Sequence, residues 1–268
     1  MSEFHRFPHT PHLAWLGAGE ARDDKVLTPA QAAELLHDEV LLEEKLDGAN
    51  LGLSLSSDGE LRMQNRRQYL AHPYAGQFVR LPGWLGLHGG VVAEALLEHA
   101  DEGLMLFGEW CAARHSLAYM RLPDWFLLFD VFETRAGRFW SSARRDALAG
   151  RMGLATTPQV ARGLYSLEDL KALLDAQVSL FGDGPVEGIV IRRDSADWCA
   201  RRAKLVRPDF TQAINDHWRN RRIEWNRLGA AAPTRDARHR VPGHESPAAC
   251  VDRSGRPPRR LRVCDALA

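Results

Sequence analysis

Residues 45–50 read Lys-x-Asp-Gly-x-Asn, a spacing that suits nucleophilic chemistry on a phosphate. They follow a predicted strand, and in a strand Lys45 and Asp47 point to the same face. Gly48 has no side chain, so its main chain can approach a phosphate closely. A lysine nucleophile must lose its proton, and the reference pKa of lysine is about 10.4. We therefore expect positive neighbours or desolvation to lower the pKa of Lys45. Taken alone, the motif also fits an ordinary strand that ends in a charged glycine turn.

Two later predicted strands each carry a carboxylate that should have a polar or cationic partner. Residues 107–110 read Phe-Gly-Glu-Trp, and Glu109 at this strand end suits a ribose hydroxyl. Residues 126–132 form an apolar run that is interrupted by Asp130. A buried aspartate should be tied to a polar or cationic group. Phe129 beside it suits stacking on a purine, although it also fits a buried core aromatic.

A further hairpin combines a carboxylate with two cations. Residues 186–191 form an apolar strand in which Glu187 faces the same way as two isoleucines. A metal-bound phosphate or a lysine partner would explain a charge at this position. On the returning strand Arg202 and Lys204 share one face, which is unfavourable unless an anion such as a triphosphate lies there. A solvated edge strand would explain the same two residues.

The elements that must position these residues alternate between antiparallel hairpins and helices, which indicates an α+β fold. Residues 69–90 are rich in Pro, Gly and aromatic residues, and we predict an irregular segment there. We predict strands over residues 40–46, 51–55, 61–64, 104–109, 125–132, 138–140, 186–193 and 198–206, and helices over 28–37, 91–99, 142–152, 166–177 and 211–228.

The end of the chain has a different character. Phe210, Ile214, Trp218 and Trp225 share one face of the predicted closing helix. Residues 229–268 have no periodicity and contain eight Arg against four Asp or Glu. We expect this basic Pro/Arg-rich tail to be disordered.

Composition bounds the class of protein. The 268 residues permit one large domain or slightly more, and the 45% apolar content permits a sizeable core. The formal net charge is zero, which excludes a protein that holds nucleic acid by bulk charge alone. The four cysteines form no C-x-x-C pair, so we predict reduced thiols in a cytoplasmic protein. We expect neither a signal peptide nor a membrane span.

Five stretches, taken in order, resemble the nucleotidyltransferase motifs of ATP-dependent polynucleotide ligases. Asn50 and the run that follows Gly108 resemble the RNA ligase branch that includes the phage double-strand RNA ligase. The resemblance implies an ATP-grasp-like ligase adenylation fold of antiparallel sheets flanked by helices, formed by residues 1–228. The motifs are residues 45–50, 107–110, 129–132, 187–190 and 202–204.

The resemblance also implies catalytic and base-binding roles. Lys45 would attack ATP and carry AMP as a covalent phosphoramidate. Glu187 would help organise Mg²⁺ and activate the lysine. Glu44 would lie against the adenine base, Phe129 would cover it, and Glu109 would hold the ribose. ATP and Mg²⁺ are the implied cofactors.

Phosphate contacts are implied for a second group of residues. Arg202 and Lys204 would hold the α-phosphate and the leaving pyrophosphate. Asn50 and one arginine, either Arg66 or Arg67, would contact phosphates or position the strand ends. The family usually has Lys-x-Lys where this chain has Arg202 and Lys204. Arginine keeps the charge but serves less well where a lysine must approach a single oxygen.

The implied function is an ATP-dependent RNA ligase that joins 3′-hydroxyl and 5′-phosphate RNA ends. Relatives carry an additional nucleic-acid-binding domain that this sequence does not show. The basic tail or a separate RNA-binding partner would then bind the RNA in its place, and an end-healing kinase-phosphatase would be a further partner that prepares the ends. Other interpretations stay open: a DNA ligase, a capping-type guanylyltransferase, or a catalytically inactive nucleotide- or RNA-binding module.

Overall fold

The computed structural model describes residues 4–18, 21, 25–212 and 222–229, and it confirms the α+β prediction. The helices are α1 (Pro29–Leu36), α2 (Leu81–Glu98), α3 (Ser142–Met152), α4 (Leu167–Ala176) and α5 (Pro208–Gln212). The strands are β1 (Val40–Lys45), β2 (Ala49–Leu55), β3 (Leu61–Gln64), β4 (Leu104–Trp110), β5 (Phe126–Glu133), β6 (Arg138–Phe139), β7 (Ala155–Thr156), β8 (Gln159–Gly163), β9 (Gly188–Asp194) and β10 (Cys199–Val206). Apart from Gly229, the predicted tail lies outside the described residues.

The strands form two sheets. One has the order β10-β9-β1-β8 and is antiparallel throughout. The other has the order β3-β2-β4-β5-β6, with β7 parallel to β5. β1 belongs to the first sheet and β2 to the second. Residues 46–48, inside the Lys-x-Asp-Gly-x-Asn motif, therefore carry the chain from one sheet to the other.

Each sheet has its own apolar core. Burial of one leucine or isoleucine side chain contributes about 1.5–3 kcal/mol, so these two clusters hold the helices on the sheets. The first sheet packs against α1 and α4 through Leu35, Leu42, Leu170, Leu174 and Ile191. The second packs against α2 and α3 through Leu51, Val92, Leu106, Leu128 and Leu148.

The start of α1 is encoded locally. The Thr28 hydroxyl accepts a hydrogen bond from the Gln31 amide, and the Gln31 side chain accepts one from the Thr28 amide. This reciprocal capping box satisfies two donors that a helix start otherwise leaves unpaired. Among the described helices, none combines the length and the apolar character that a bilayer crossing requires.

The N-terminal segment pairs with the edge of the first sheet. The Lys204 amide on β10 donates to Pro11 O, and the Leu13 amide donates to Lys204 O. Phe7, further upstream, packs its ring against Phe107 and other aromatic rings of the second sheet. The segment therefore contacts both sheets.

The prediction of an irregular segment over residues 69–90 is wrong for residues 81–90, nearly half of it. α2 already begins at Leu81 and continues through four glycines that lower helix propensity. Burial of Leu81, Trp84 and Val92 compensates for that low propensity. Tertiary packing thus overrides the composition signal. The short strands β7 and β8 are additional to the predicted elements.

The predicted closing helix over residues 211–228 is also wrong in part. α5 ends at Gln212, and residues 222–229 contain no helix. Trp225 instead forms an antiparallel bridge with Ala113. Main-chain hydrogen bonds to residues 112–122 satisfy this segment, which removes the need for helical pairing. Ile214 and Trp218 lie outside the described residues.

Candidate active site

Residues of both sheets line a cavity of about 610 Å³. Its volume falls in the range of small-molecule sites. The structure thus gathers nearly all of the predicted nucleotide-site residues, from six separate stretches, around one cavity. The predicted residues that line it are Glu44, Lys45, Arg66, Glu109, Phe129, Glu187, Arg202 and Lys204.

Lys45 and Glu187 are in direct contact. Lys45 is the last residue of β1 and lies opposite Gly188 in the sheet, which places Glu187 beside it. The Lys45 amine donates a hydrogen bond to Glu187 Oε2 at 2.8 Å. Antiparallel pairing of β1 with β9 therefore joins two residues that are 142 positions apart. The result is an amine and a carboxylate at a cavity wall.

The charge environment of Lys45 differs from our expectation. Burial by itself lowers the pKa of Lys45, but the carboxylates of Glu187, Glu109 and Asp47 outweigh burial and raise it. The predicted lowering of this pKa is therefore wrong for the protein without a nucleotide. Lys45 is a cation in this state, and a lysine must lose its proton before it can act as a nucleophile.

Glu109 is protonated more readily than an ordinary glutamate. Burial raises the pKa of Glu109 to about 7, although Lys45 and Arg66 favour its charged form. Burial also raises the pKa of Glu187, and Lys45 opposes that rise. These two carboxylates and Asp47 surround a single ammonium group. Together they account for the raised pKa of Lys45.

The structure distinguishes between the two candidate arginines. Arg66 lines the cavity, and its guanidinium lies 6.0 Å from the centre of the Phe7 ring. Arg67 does not line the cavity, and its amide donates to Asn65 Oδ1. Arg66 is therefore the one of the pair that faces the site.

Arg202 is held by several groups. Its guanidinium pairs with Asp130 at 2.8 Å and lies 4.0 Å from the centre of the Phe139 ring and 4.9 Å from that of Phe7. This arrangement explains the aspartate in an apolar strand. It also uses the planar shape of arginine, which a lysine would not reproduce.

Behind Arg202 lies a buried network of charges. Arg192 donates to Asp130 Oδ1 at 2.7 Å, and Arg145 donates to Glu43 Oε1 at 2.6 Å. All four of these side chains are almost fully buried. Both arginines also donate to Phe129 O. The network joins β1 and β9 of one sheet to β5 of the other and so fixes the inner end of the cavity.

Glu44 lies beside Lys45 in sequence but is engaged elsewhere. Its carboxylate accepts hydrogen bonds from Ser179 Oγ at 2.6 Å and from the Leu180 amide at 3.0 Å. Burial raises its pKa, and these two bonds oppose the rise. The Glu44 side chain thus holds residues 179–180 against β1. The adenine contact implied for Glu44 would therefore have to come from its main chain. That contact stays a prediction.

Asn50 is the predicted residue that does not line the cavity. It lies directly opposite Glu109 across β2 and β4, so the two side chains share one face of the sheet. Its amide is buried, and neither of its polar atoms has a partner within the described part of the chain.

The glycine of the motif is required by packing, since a Cβ on Gly48 would lie 2.7 Å from Trp110 O.

Asp47 is fixed by residues of the segment after β4. Its Oδ2 accepts hydrogen bonds from the amides of Ser116 and Leu117 at 2.6 and 2.8 Å. Its own amide donates to the hydroxyl of Tyr119 at 2.8 Å. His115 lies 3.9 Å from the carboxylate, and burial lowers the pKa of this histidine although Asp47 opposes that shift. The acidic residue of the motif is therefore firmly held near the lysine.

Several cavity residues were missed by reasoning from the sequence. Glu43 could have been found, because strand alternation puts it on the face of Lys45. Thr157 gave no signal; its buried hydroxyl has no partner within the described residues, and the residue lines the cavity. Phe7 and residues 222–224 line it as well, from segments that carry no motif.

Comparison with known proteins agrees with this geometry. The family model described as RNA ligase matches residues 38–206, which is more than half of the chain. The chain belongs to the RNA ligase family. The phage-like branch within this family stays a prediction. No curated protein sequence gives a significant match.

Solved structures of Naegleria gruberi RNA ligase have the same fold as this RNA ligase family member. The structure with PPi is 18% identical, with a TM-score of 0.54 over 78% of this chain and 64% of that one. Two variants with ATP and Mn are 14% and 16% identical, with TM-scores of 0.56 and 0.51. They cover 79% and 70% of this chain and 58% and 55% of the others. The chain thus spans a little over half of the length of these structures.

Proposed function

We propose that this protein is an ATP-dependent RNA ligase that joins 3′-hydroxyl and 5′-phosphate RNA ends through a lysyl-AMP intermediate. The observation that carries the proposal is the 2.8 Å contact between Lys45 and Glu187 in a cavity that also contains Arg202 and Lys204. An amine held by a carboxylate beside phosphate-binding cations suits nucleotidyl transfer. Family membership and the ATP and Mn of the Naegleria structures support the same assignment.

In the first step the Lys45 amine attacks the α-phosphorus of ATP. The Lys45 ammonium first gives one proton to Glu187, which already accepts its hydrogen bond. The neutral amine then forms the N–P bond as the bond to pyrophosphate breaks, and the second proton lost from the nitrogen passes to solvent. Arg66, Arg202 and Lys204 line the same cavity and would neutralise the leaving pyrophosphate. The protein contributes mainly by holding the reactants in place, which is worth roughly 7–11 kcal/mol in well-oriented reactions.

A divalent cation fits the donor groups of this site. The described residues contain no group of three or more His, Cys, Asp or Glu that would hold a metal by themselves. Mg²⁺ is commonly held by one or two carboxylates together with substrate phosphates. Glu187 is the carboxylate that would hold it, and it would neutralise phosphate charge. Glu109, which lines the same cavity, would hold the ribose of ATP. A cation would also lower the pKa of Lys45 by offsetting the acidic groups around it.

Later steps follow from the chemistry of the adenylate. The AMP passes from Lys45 to a 5′-phosphate of RNA, which breaks the N–P bond and forms a pyrophosphate linkage. A 3′-hydroxyl then attacks the 5′-phosphate and AMP leaves. We propose RNA ends as the substrate on the basis of the family. A healing kinase-phosphatase, a separate RNA-binding partner and the cytoplasmic location stay predictions.

The test is transfer of label from ATP to the protein. The purified protein is mixed with Mg²⁺ and ATP labelled at the α-phosphate, denatured, and examined for bound label, with labelled GTP in parallel. We expect label from ATP in the wild type and in Lys171→Ala, whose lysine lies on α4, but none in Lys45→Ala. Label that persists in Lys45→Ala would show that another residue is the nucleophile. Label from GTP alone would indicate a guanylyltransferase.

A further inference from the structure

Residues 222–229, which we call the strap, lie along residues 111–122, which we call the site loop. The strap is outside residues 38–206, the part of the chain that the family model matches. Five main-chain hydrogen bonds join the two segments. They run from Arg114 N to Glu224 O, Asn226 N to Ala112 O, Arg227 N to Tyr119 O, Leu122 N to Arg227 O, and Gly229 N to Leu122 O.

The side chain of Asn226 lies at the centre of this contact and is 4% exposed. Its Oδ1 accepts a hydrogen bond from the Tyr119 amide at 2.9 Å. Its Nδ2 donates to Cys111 O at 2.8 Å and to Ala113 O at 3.3 Å. The site loop is buried at these residues, so its main-chain groups require partners. One amide side chain thus satisfies three of them.

Trp225 anchors the strap on the other side. Its ring lies 4.3 Å below the guanidinium of Arg80, which also lies 5.0 Å from the ring of Trp125. It packs against the core of the second sheet. A cation within about 5 Å of two aromatic rings is a favourable contact, so the strap is held by packing as well as by hydrogen bonds.

The site loop links the strap to the nucleophile. The Tyr119 amide donates to Asn226 Oδ1, its carbonyl accepts from the Arg227 amide, and its hydroxyl accepts from the amide of Asp47. The amides of Ser116 and Leu117 hold the Asp47 carboxylate, two residues from Lys45. Two hydrogen-bonded steps therefore connect Asn226 to the motif that carries the lysine.

The strap also forms part of the cavity wall. Arg222, Ile223 and Glu224 line the cavity on the side of the site loop, together with Arg114, His115 and Ser116. Glu224 pairs with Arg114 at 2.7 Å, an exposed contact that contributes little to stability. The buried bonds of Asn226, rather than this surface pair, fix the position of the strap.

We propose that the strap is a positioning element of the active site and that Asn226 is its central positioning residue. By holding the site loop, it keeps Asp47 and thus Lys45 in the arrangement needed for attack on ATP. This inference rests on the proposed function. It extends the catalytic unit beyond the residues that the family model matches.

The decisive variant is Asn226→Ala in the full chain, and the first measurement is single-turnover labelling by ATP. A small displacement of a reacting group lowers rates by up to about 100-fold. We expect the rate at saturating ATP to fall by about 10- to 100-fold, while the ATP concentration for half-saturation changes by less than about 3-fold. We expect the rate to change more than the half-saturating ATP concentration, because the hydrogen bonds of Asn226 lead through Tyr119 to the Lys45 motif and not to Arg202 or Lys204. An unchanged rate, or a change confined to half-saturation, would overturn the proposal.

A matched control separates positioning from general loss of stability. Leu96→Ala removes a buried α2 side chain that is remote from the cavity and should lower the melting temperature to a similar degree. Below the melting temperature of both variants, we expect Leu96→Ala to label at the rate of the wild type. Equal slowing in the two variants would mean that Asn226 acts through stability alone.

A second measurement needs no activity. Cys111 is fully buried and its carbonyl accepts a hydrogen bond from Asn226 of the strap, so its thiol should resist alkylation while the strap holds the site loop. We expect Asn226→Ala to raise its alkylation rate by at least about 10-fold, read by peptide mapping, with no such rise in Leu96→Ala. Continued protection of Cys111 would refute the strap as the element that orders the loop. A wild type that takes no label from ATP would reject the proposed function, and the thiol result would still decide the role of the strap.

Discussion

Replacing Glu109 by glutamine should make the protein more stable above neutral pH. The folded state raises the pKa of this carboxyl from 4.5 to about 7, chiefly by burial. A folded-state pKa above the unfolded value means that the folded protein keeps a proton that the unfolded chain gives up. Stability is therefore lost as pH rises from about 4.5 to about 7. Glutamine has nearly the same shape and does not titrate, so it avoids this loss.

The size of the effect follows from the shift. Each pKa unit corresponds to 1.36 kcal/mol, so a shift of about 2.5 units gives an upper limit of about 3.4 kcal/mol. Part of the Glu109 side chain remains open to the cavity, where water screens the charge. We therefore expect about 2 kcal/mol. Relative to the wild type, Glu109→Gln should gain that amount in free energy of unfolding between pH 5 and pH 8.

Urea unfolding followed by circular dichroism at pH 5, 6, 7 and 8 would measure this difference. Groups that titrate in both proteins cancel when the two curves are subtracted. Glu98→Gln, on the exposed side of α2, reports the effect of removing a solvated carboxylate. If the difference between Glu109→Gln and the wild type stays constant across this range, Glu109 is not held in the desolvated environment described above. The gain in stability should accompany a loss of ATP labelling, since Glu109 is proposed to contact the nucleotide.

Three further substitutions test other parts of the site. Arg145→Met leaves the Glu43 carboxylate buried without its partner at 2.6 Å and should lower the free energy of unfolding by about 3 kcal/mol. Adding Glu43→Gln should restore part of that loss. An unchanged free energy in urea unfolding would contradict the buried ion pair. Thr157→Val removes a buried hydroxyl that lacks a partner within the described chain and should raise the ATP concentration for half-maximal labelling by about 3- to 10-fold. Thr157→Ser keeps the hydroxyl and should not raise it. Equal values for the two variants would exclude a nucleotide contact. Gly48→Ala places a methyl group 2.7 Å from Trp110 O and should reduce stability by about 1–3 kcal/mol in thermal unfolding, a result that an unchanged melting temperature would refute.

The sequence predicted the strand ends of the site because each motif is local. Alternation along β1 and the charged hairpin of β9 and β10 identify which residues face the cavity without knowledge of the fold. From the residues alone, a lysine was one of two partners expected for Glu187, the other being a metal-bound phosphate. The pairing register of β1 with β9 selects Lys45 as that partner. Residue type and spacing were sufficient here because the chemistry lies at the ends of regular strands.

Features that depend on distant contacts were not predictable in the same way. The pKa of Lys45 rises because three carboxylates from separate stretches meet around it, which no local pattern shows. Helical spacing at Trp225 was misleading, because its main chain pairs with residue 113 rather than with its own neighbours. Thr157 reaches the cavity through the short parallel pairing of β7 with β5, a register that the sequence does not encode visibly.

The pairing of residues 11–13 with β10 has a consequence for the solution behaviour of the protein. An uncovered edge strand offers free amides and carbonyls to the edge of a neighbouring molecule, and natural proteins shield such edges against aggregation. Here the amide of Lys204 and its carbonyl are both used by Pro11 and Leu13. Removal of this segment would leave β10 as an open edge with buried apolar residues on one face. A chain that lacks the residues before residue 14 should therefore self-associate as its concentration rises. The N-terminal segment thus prevents the edge of the sheet that carries Lys45 from pairing with a second molecule.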